Sequence, residues 1–62
     1  MKIEYDKETD SLYIQLRPVA SVESEEVQPG IVFDFASDGK LTGIDIEHAS
    51  SVADVTHLPA LG

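Results

Sequence analysis

Ser11-Leu12-Tyr13-Ile14-Gln15-Leu16 is the stretch that decides the fold. Leu12, Ile14 and Leu16 alternate with Ser11, Tyr13 and Gln15, so an extended chain sets three aliphatic side chains on one side and three polar-tipped ones on the other. A helix would scatter the same residues around its circumference. Upstream, Lys2–Tyr5 repeats the period, with Ile3 and Tyr5 opposed to Lys2 and Glu4. The acidic turn Asp6–Asp10 between the two runs predicts a first hairpin. Downstream, Ile31, Phe33 and Phe35 alternate with Val32 and Asp34, then Ile44 and Ile46 with Gly43, Asp45 and Glu47. The Asp38-Gly39 pair joins these last two runs as a hairpin turn. Leu41 is out of phase with Ile44, which predicts a bulge near Gly43. Val22–Gln28 carries Glu23, Glu25 and Glu26, and reads as an edge strand whose charges discourage stray pairing.

The tail from Ser50 changes character. Ser51-Val52-Ala53-Asp54 has the spacing of a capping box, Val52, Val55 and Leu58 follow at three-residue steps, and Pro59 stops the run. The expected class is therefore α+β: a single domain over 1–62, with an antiparallel β-meander of four to five strands in 1–49 and one short helix and tail in 50–62. Ile3, Tyr5, Leu12, Ile14, Leu16, Ile31, Phe33, Phe35, Ile44 and Ile46 would form the apolar side of the sheet. A two-turn helix covers only part of such a face.

Size sharpens the point. A chain of 62 residues buries only about 60% of the surface its unfolded form exposes, so gain and ordering cost nearly cancel. It has no cysteine to supply a disulfide or a thiolate for structural zinc. Partner burial is the remaining support, and a homo-oligomer, a dimer first, is the expected state. Twelve acidic residues against four basic ones give a net charge of −8. Lys2, Lys7, Lys40 and Arg17 stand singly, so direct binding to nucleic acid or to an acidic membrane is not expected. The charge favours solubility and a basic protein partner. The N-terminal residues lack a basic-then-apolar leader pattern, and the expected location is cytoplasmic.

Catalytic constellations are sparse. No serine lies in a G-x-S-x-G elbow, and no glycine-rich phosphate loop is present. His48 and His57 are the only side chains whose ordinary pKa suits base chemistry near neutrality, and neither has a paired nucleophile. No cofactor is expected and no catalytic role is assigned. Asp6, Glu8 and Asp10 alternate like the opening of a calcium loop, but Ser11 and Arg17 occupy the positions where such a loop needs glycine and glutamate. Glu47, His48, Asp54 and His57 match no standard ligand spacing. Glu4, Asp34, Asp45 and Glu47 fall on the polar side of the expected sheet. Neighbouring carboxylates there would repel, recruit a divalent cation or dock a basic partner. Val52, Val55 and Leu58 are the candidates for apolar contact.

Tyr5-Asp6-Lys7-Glu8-Thr9-Asp10-Ser11-Leu12-Tyr13-Ile14 resembles the opening signature of the family called domain of unknown function 2283, Y-D-x-E-x-D-x-L-Y-I. Glu26-Val27, Pro29-Gly30-Ile31-Val32, Asp38-Gly39, Gly43-Ile44 through Ile46, and Ala49-Ser50 extend the resemblance over about residues 2–51. Ala36 stands where an acidic residue is frequent, and the tail lacks the basic residues often found there. The resemblance implies a small bacterial or archaeal β-rich protein with no established activity, in company with other small proteins, toxin-type ones among them. The motif also has a plain physical reading: Tyr5 and Leu12 flank a tight loop whose acidic residues fix its backbone.

The expected function is a self-associating or partner-binding module, antitoxin-like if the partner is a small basic protein. The alternative is a divalent-cation-binding domain that uses the polar-face carboxylates.

Overall fold

The computed structural model describes residues 1–57. Five strands form, β1 (Lys2–Asp6), β2 (Ser11–Gln15), β3 (Glu23–Gln28), β4 (Ile31–Phe35) and β5 (Leu41–Glu47). They make one antiparallel sheet in the order β1-β2-β5-β4-β3. The register pairs Ile3 with Ile14 and Tyr5 with Leu12, then Leu12 with Ile46 and Ile14 with Ile44. Ile31 and Phe33 complete the rows opposite Ile46 and Ile44. A shift of one residue in any strand would turn its apolar side chains to the other face, so the alternation itself selects this pairing.

The strand order corrects the expected meander. Strands β2 to β5 lie in the spatial order 2-5-4-3, the Greek-key arrangement, and the connection from β2 to β3 crosses the ends of β5 and β4. Thr42, 1% exposed, holds that crossing in place. Its backbone carbonyl accepts the Leu16 and Arg17 amides at 2.9 and 3.3 Å. Its hydroxyl lies 3.2 and 3.1 Å from the carbonyls of Arg17 and Val19. The Arg17 guanidinium then clasps Asp38 in the β4–β5 turn with two bonds of 3.1 and 2.8 Å. The Val22 amide donates to the Phe35 carbonyl at 2.8 Å, which delivers the chain to the β3 edge.

The bulge expected near Gly43 is present. Asp34 faces Gly43 and Phe35 faces Leu41, leaving Thr42 as the extra residue of β5. This resets the phase of β5, so that Leu41 joins Phe35 on the apolar side. At the β4–β5 turn Gly39 takes φ +80°, a left-handed conformation suited to glycine.

Among the described residues the expected C-terminal helix does not form as an α-helix, and the α+β expectation gives way to a β-rich one. Ala49–Ser51 and Val55–His57 are single 3-10 turns. His48 enters the first of them in the left-handed region, at φ 52°, with no side-chain cap. The Ser51 hydroxyl turns back to the His48 carbonyl at 2.7 Å instead of capping a following amide. Valines are poor helix formers, and a segment this short cannot meet the cost of nucleation unaided. Leu58 and Pro59 lie outside the described residues.

Candidate functional site

The pleat sorts the acidic side chains into two populations. On the polar face, one cross-strand row runs Glu4, Tyr13, Asp45, Val32, Glu26, and the next runs Lys2, Gln15, Gly43, Asp34, Ser24. Of the four predicted carboxylates, only Asp34 and Asp45 are brought together, as diagonal neighbours on β4 and β5. Glu4 is drawn into an ion pair with Lys2 at 2.7 Å. Glu47 lies in a third row with Ser11 and Asp6 and is exposed.

Asp34 is buried, and the Ser24 hydroxyl from the neighbouring edge strand donates to it at 2.7 Å. Gly43 lies across from it and admits the Tyr13 ring, since a Cβ at Gly43 would stand 2.5 Å from the Tyr13 hydroxyl oxygen. Burial, reinforced by a hydrogen bond to Asp34 and by its negative charge, pushes the Asp45 carboxyl up to about 6. Burial also raises the Tyr13 phenol, with further contributions from Asp34, Asp45 and Glu4. Held this way, Asp45 keeps its proton up to about pH 6, well above the ordinary carboxyl range. A shallow depression of about 780 Å³ opens over the face, with Glu4, Tyr13, Asp34 and Asp45 among its walls. Among the described residues no group of three His, Cys, Asp or Glu side chains is arranged to hold a metal ion.

The opposite face is apolar and open. Of its ten predicted members only Leu12 is buried, at 4% exposure, and the other nine keep surface in water. Phe33 and Phe35 meet edge to face, with centroids 6.5 Å apart. Glu25 is paired with Phe33 and Glu23 with Phe35, so two carboxylates of β3 project on this same side. Both line a small depression beside Phe35 and Ala36. Val52 is exposed and Val55 half-buried, while Leu58 lies outside the described residues. No second sheet and no α-helix covers this face among the described residues.

The acidic hairpin loop proves structural. Asp6 accepts the Glu8 amide at 2.9 Å and so fixes the turn. Asp10 takes φ 54°, accepts the Tyr5 hydroxyl, and receives the Ser50 amide and hydroxyl at 3.1 and 2.7 Å. Its own carbonyl accepts the amide of Ala49, which is fully buried. These bonds hold the Asp10 carboxyl below its ordinary value, the Tyr5 bond most of all, and the same bond raises the Tyr5 phenol.

The separate signals Tyr5, Asp10 and Ala49-Ser50 are thus one tether joining the first hairpin to the chain beyond β5. Sequence reading missed Ser24, Tyr13 and Thr42 as a group, because each acts on a residue that only the sheet register or the crossing connection brings near. Gly43, read from the sequence only as a bulge, was the one signal that could also have pointed to the close approach of another group.

The family model described as a protein of unknown function (DUF2283) matches residues 2–50. No curated protein and no solved structure matches the chain. The matched span holds all five strands together with the Tyr5–Asp10–Ser50 tether. The chain belongs to the DUF2283 family.

Proposed function

We propose that the protein is an interaction module whose apolar sheet face is completed by a second copy of the same chain. One observation carries this reading: nine of ten apolar side chains on that face stay partly in water, with no second layer over them among the described residues. Five strands at about 4.8 Å spacing and five residues at about 3.3 Å give a footprint of roughly 400 Å² per copy. Two such footprints, before side-chain corrugation is counted, approach the ~1,000 Å² at which specific interfaces begin. A reversible dimer is therefore expected, with a population that follows protein concentration. Sheets stack face to face about 10 Å apart, and identical flat faces are self-complementary about a two-fold axis.

Sedimentation equilibrium across the micromolar range tests the reading. A mass that climbs from one chain toward two is expected. Phe33→Glu on β4 and Ile3→Glu on the edge strand should each hold the mass at one chain, with circular dichroism showing that the sheet persists. A wild-type chain that stays monomeric and unfolds cooperatively at high concentration would refute it.

The opposite, carboxylate-bearing face suits a small basic protein, as an antitoxin-like role requires. The net charge of −8 and the exposure of Glu26 and Glu47 favour that second contact. Such a complex should weaken steeply with salt, and Glu47→Lys should slow its association. A salt-independent on-rate would remove it.

A further inference from the structure

With the strands of the two sheets kept aligned, as in the common stacked packing, two arrangements bring two copies of this face together, and they differ in the direction of the two-fold axis. Both keep the axis in the plane between the sheets. An axis across the strands stacks each strand over its own copy, so β3 lies over the partner's β3. An axis along the strands reverses the lateral order, so β3 lies over the partner's β1 while β5 stays over β5.

Only one of these tolerates the charges. Glu23 and Glu25 project from β3 onto the apolar side, in the rows of Phe35 and Phe33. The first arrangement sets four carboxylates against one another at a closing apolar rim, where like charges are expensive. The second sets them over β1, whose residues on this face are Ile3 and Tyr5. Glu25 shares its cross-strand row with Phe33, Ile44, Ile14 and Ile3, so it comes to rest above Ile3 of the other copy. From the rim its long side chain reaches water while its methylenes extend the apolar contact.

We infer that the second copy docks with its two-fold axis parallel to β5, which places the β3 edge of each chain over the β1 edge of the other. The inference rests on the self-association proposed above and adds its geometry. It also assigns Glu23 and Glu25 a specificity role: they exclude the competing dimer in which β3 faces β3.

Absence of cysteine makes the test direct. Glu25→Cys and Ile3→Cys are prepared singly, refolded alone and as an equimolar mixture, and treated with a short bis-maleimide. In the inferred dimer the two Ile3→Cys thiols, in a variant that keeps Glu23 and Glu25, are about four strand spacings apart laterally, roughly 19 Å, and do not link. The mixture links Glu25→Cys to Ile3→Cys across the roughly 10 Å between sheets. Efficient linking of Ile3→Cys to itself, with none in the mixture, overturns the axis while leaving self-association intact. Absence of a dimer in sedimentation of the uncrosslinked protein overturns both.

Discussion

Asp45→Asn should make this protein more stable at neutral pH, although it removes a charged group from the polar face. The reason lies in the burial of its carboxyl, reinforced by the neighbouring Asp34. An acid whose folded value is about 6, against 3.8 for the free side chain, binds its proton more tightly in the folded state. Its contribution to stability is therefore complete below pH 3.8 and is lost as pH rises through about 6. The rise corresponds to a ceiling of about 3 kcal/mol. Because the Asp45 carboxyl retains contact with water, about half of that, roughly 1.5 kcal/mol, is the expected cost at pH 7.

Asparagine keeps a donor toward the Asp34 carboxylate and carries no charge, so the variant recovers that amount. With a urea m-value of about 1 kcal/mol/M, the midpoint should rise by about 1.5 M at neutral pH. The gain over wild type should shrink toward zero as pH falls to 3.8. Urea unfolding of both proteins at matched concentration across this range measures the difference. A gap that does not change with pH, or a destabilised variant at pH 7, would mean that neither burial nor Asp34 raises the Asp45 carboxyl.

Asp10 and Asp38 push the other way. Both are held below the ordinary carboxyl value, by Tyr5 and Ser50 in one case and Arg17 in the other, so their contribution is present above pH 3.8 and lost as pH falls through their folded values. Stability should thus climb on acidification from neutrality and then fall below the carboxyl range, which a thermal melt series will display as a maximum. Asp10→Ala should return the Tyr5 phenol toward 10 in an ultraviolet titration and speed amide exchange at Ser50. Thr42→Val removes the hydroxyl that serves the Arg17 and Val19 carbonyls, and chemical denaturation should show a loss of about 1 kcal/mol. Gly43→Ala drives a methyl to within 2.5 Å of the Tyr13 hydroxyl and should cost about 1–3 kcal/mol. Combining it with Tyr13→Ser should recover most of the loss, and additive effects in that double-mutant cycle would refute the contact.

Alternation along Ser11–Leu16, Ile31–Phe35 and Thr42–Glu47 was enough to determine strands, a two-sided sheet and the membership of each side, because side-chain direction in a strand depends only on parity. The Asp38-Gly39 turn and the bulge beside Gly43 were legible for the same reason: backbone geometry at those points demands particular residues locally. The tail misled, since the spacing of Ser51, Asp54, Val52 and Val55 fits a helix while residue propensity and packing decide whether one exists. Strand order was beyond the sequence, because β2 pairs with β5 through a connection whose anchors, Thr42 and the Arg17–Asp38 clasp, act between residues more than twenty apart along the chain. The same holds for the polar face. Four carboxylates shared its parity, but only the register could decide that Asp34 and Asp45 touch while Glu4 turns to Lys2. Parity belongs to the single strand, and neighbourhood belongs to the assembled sheet.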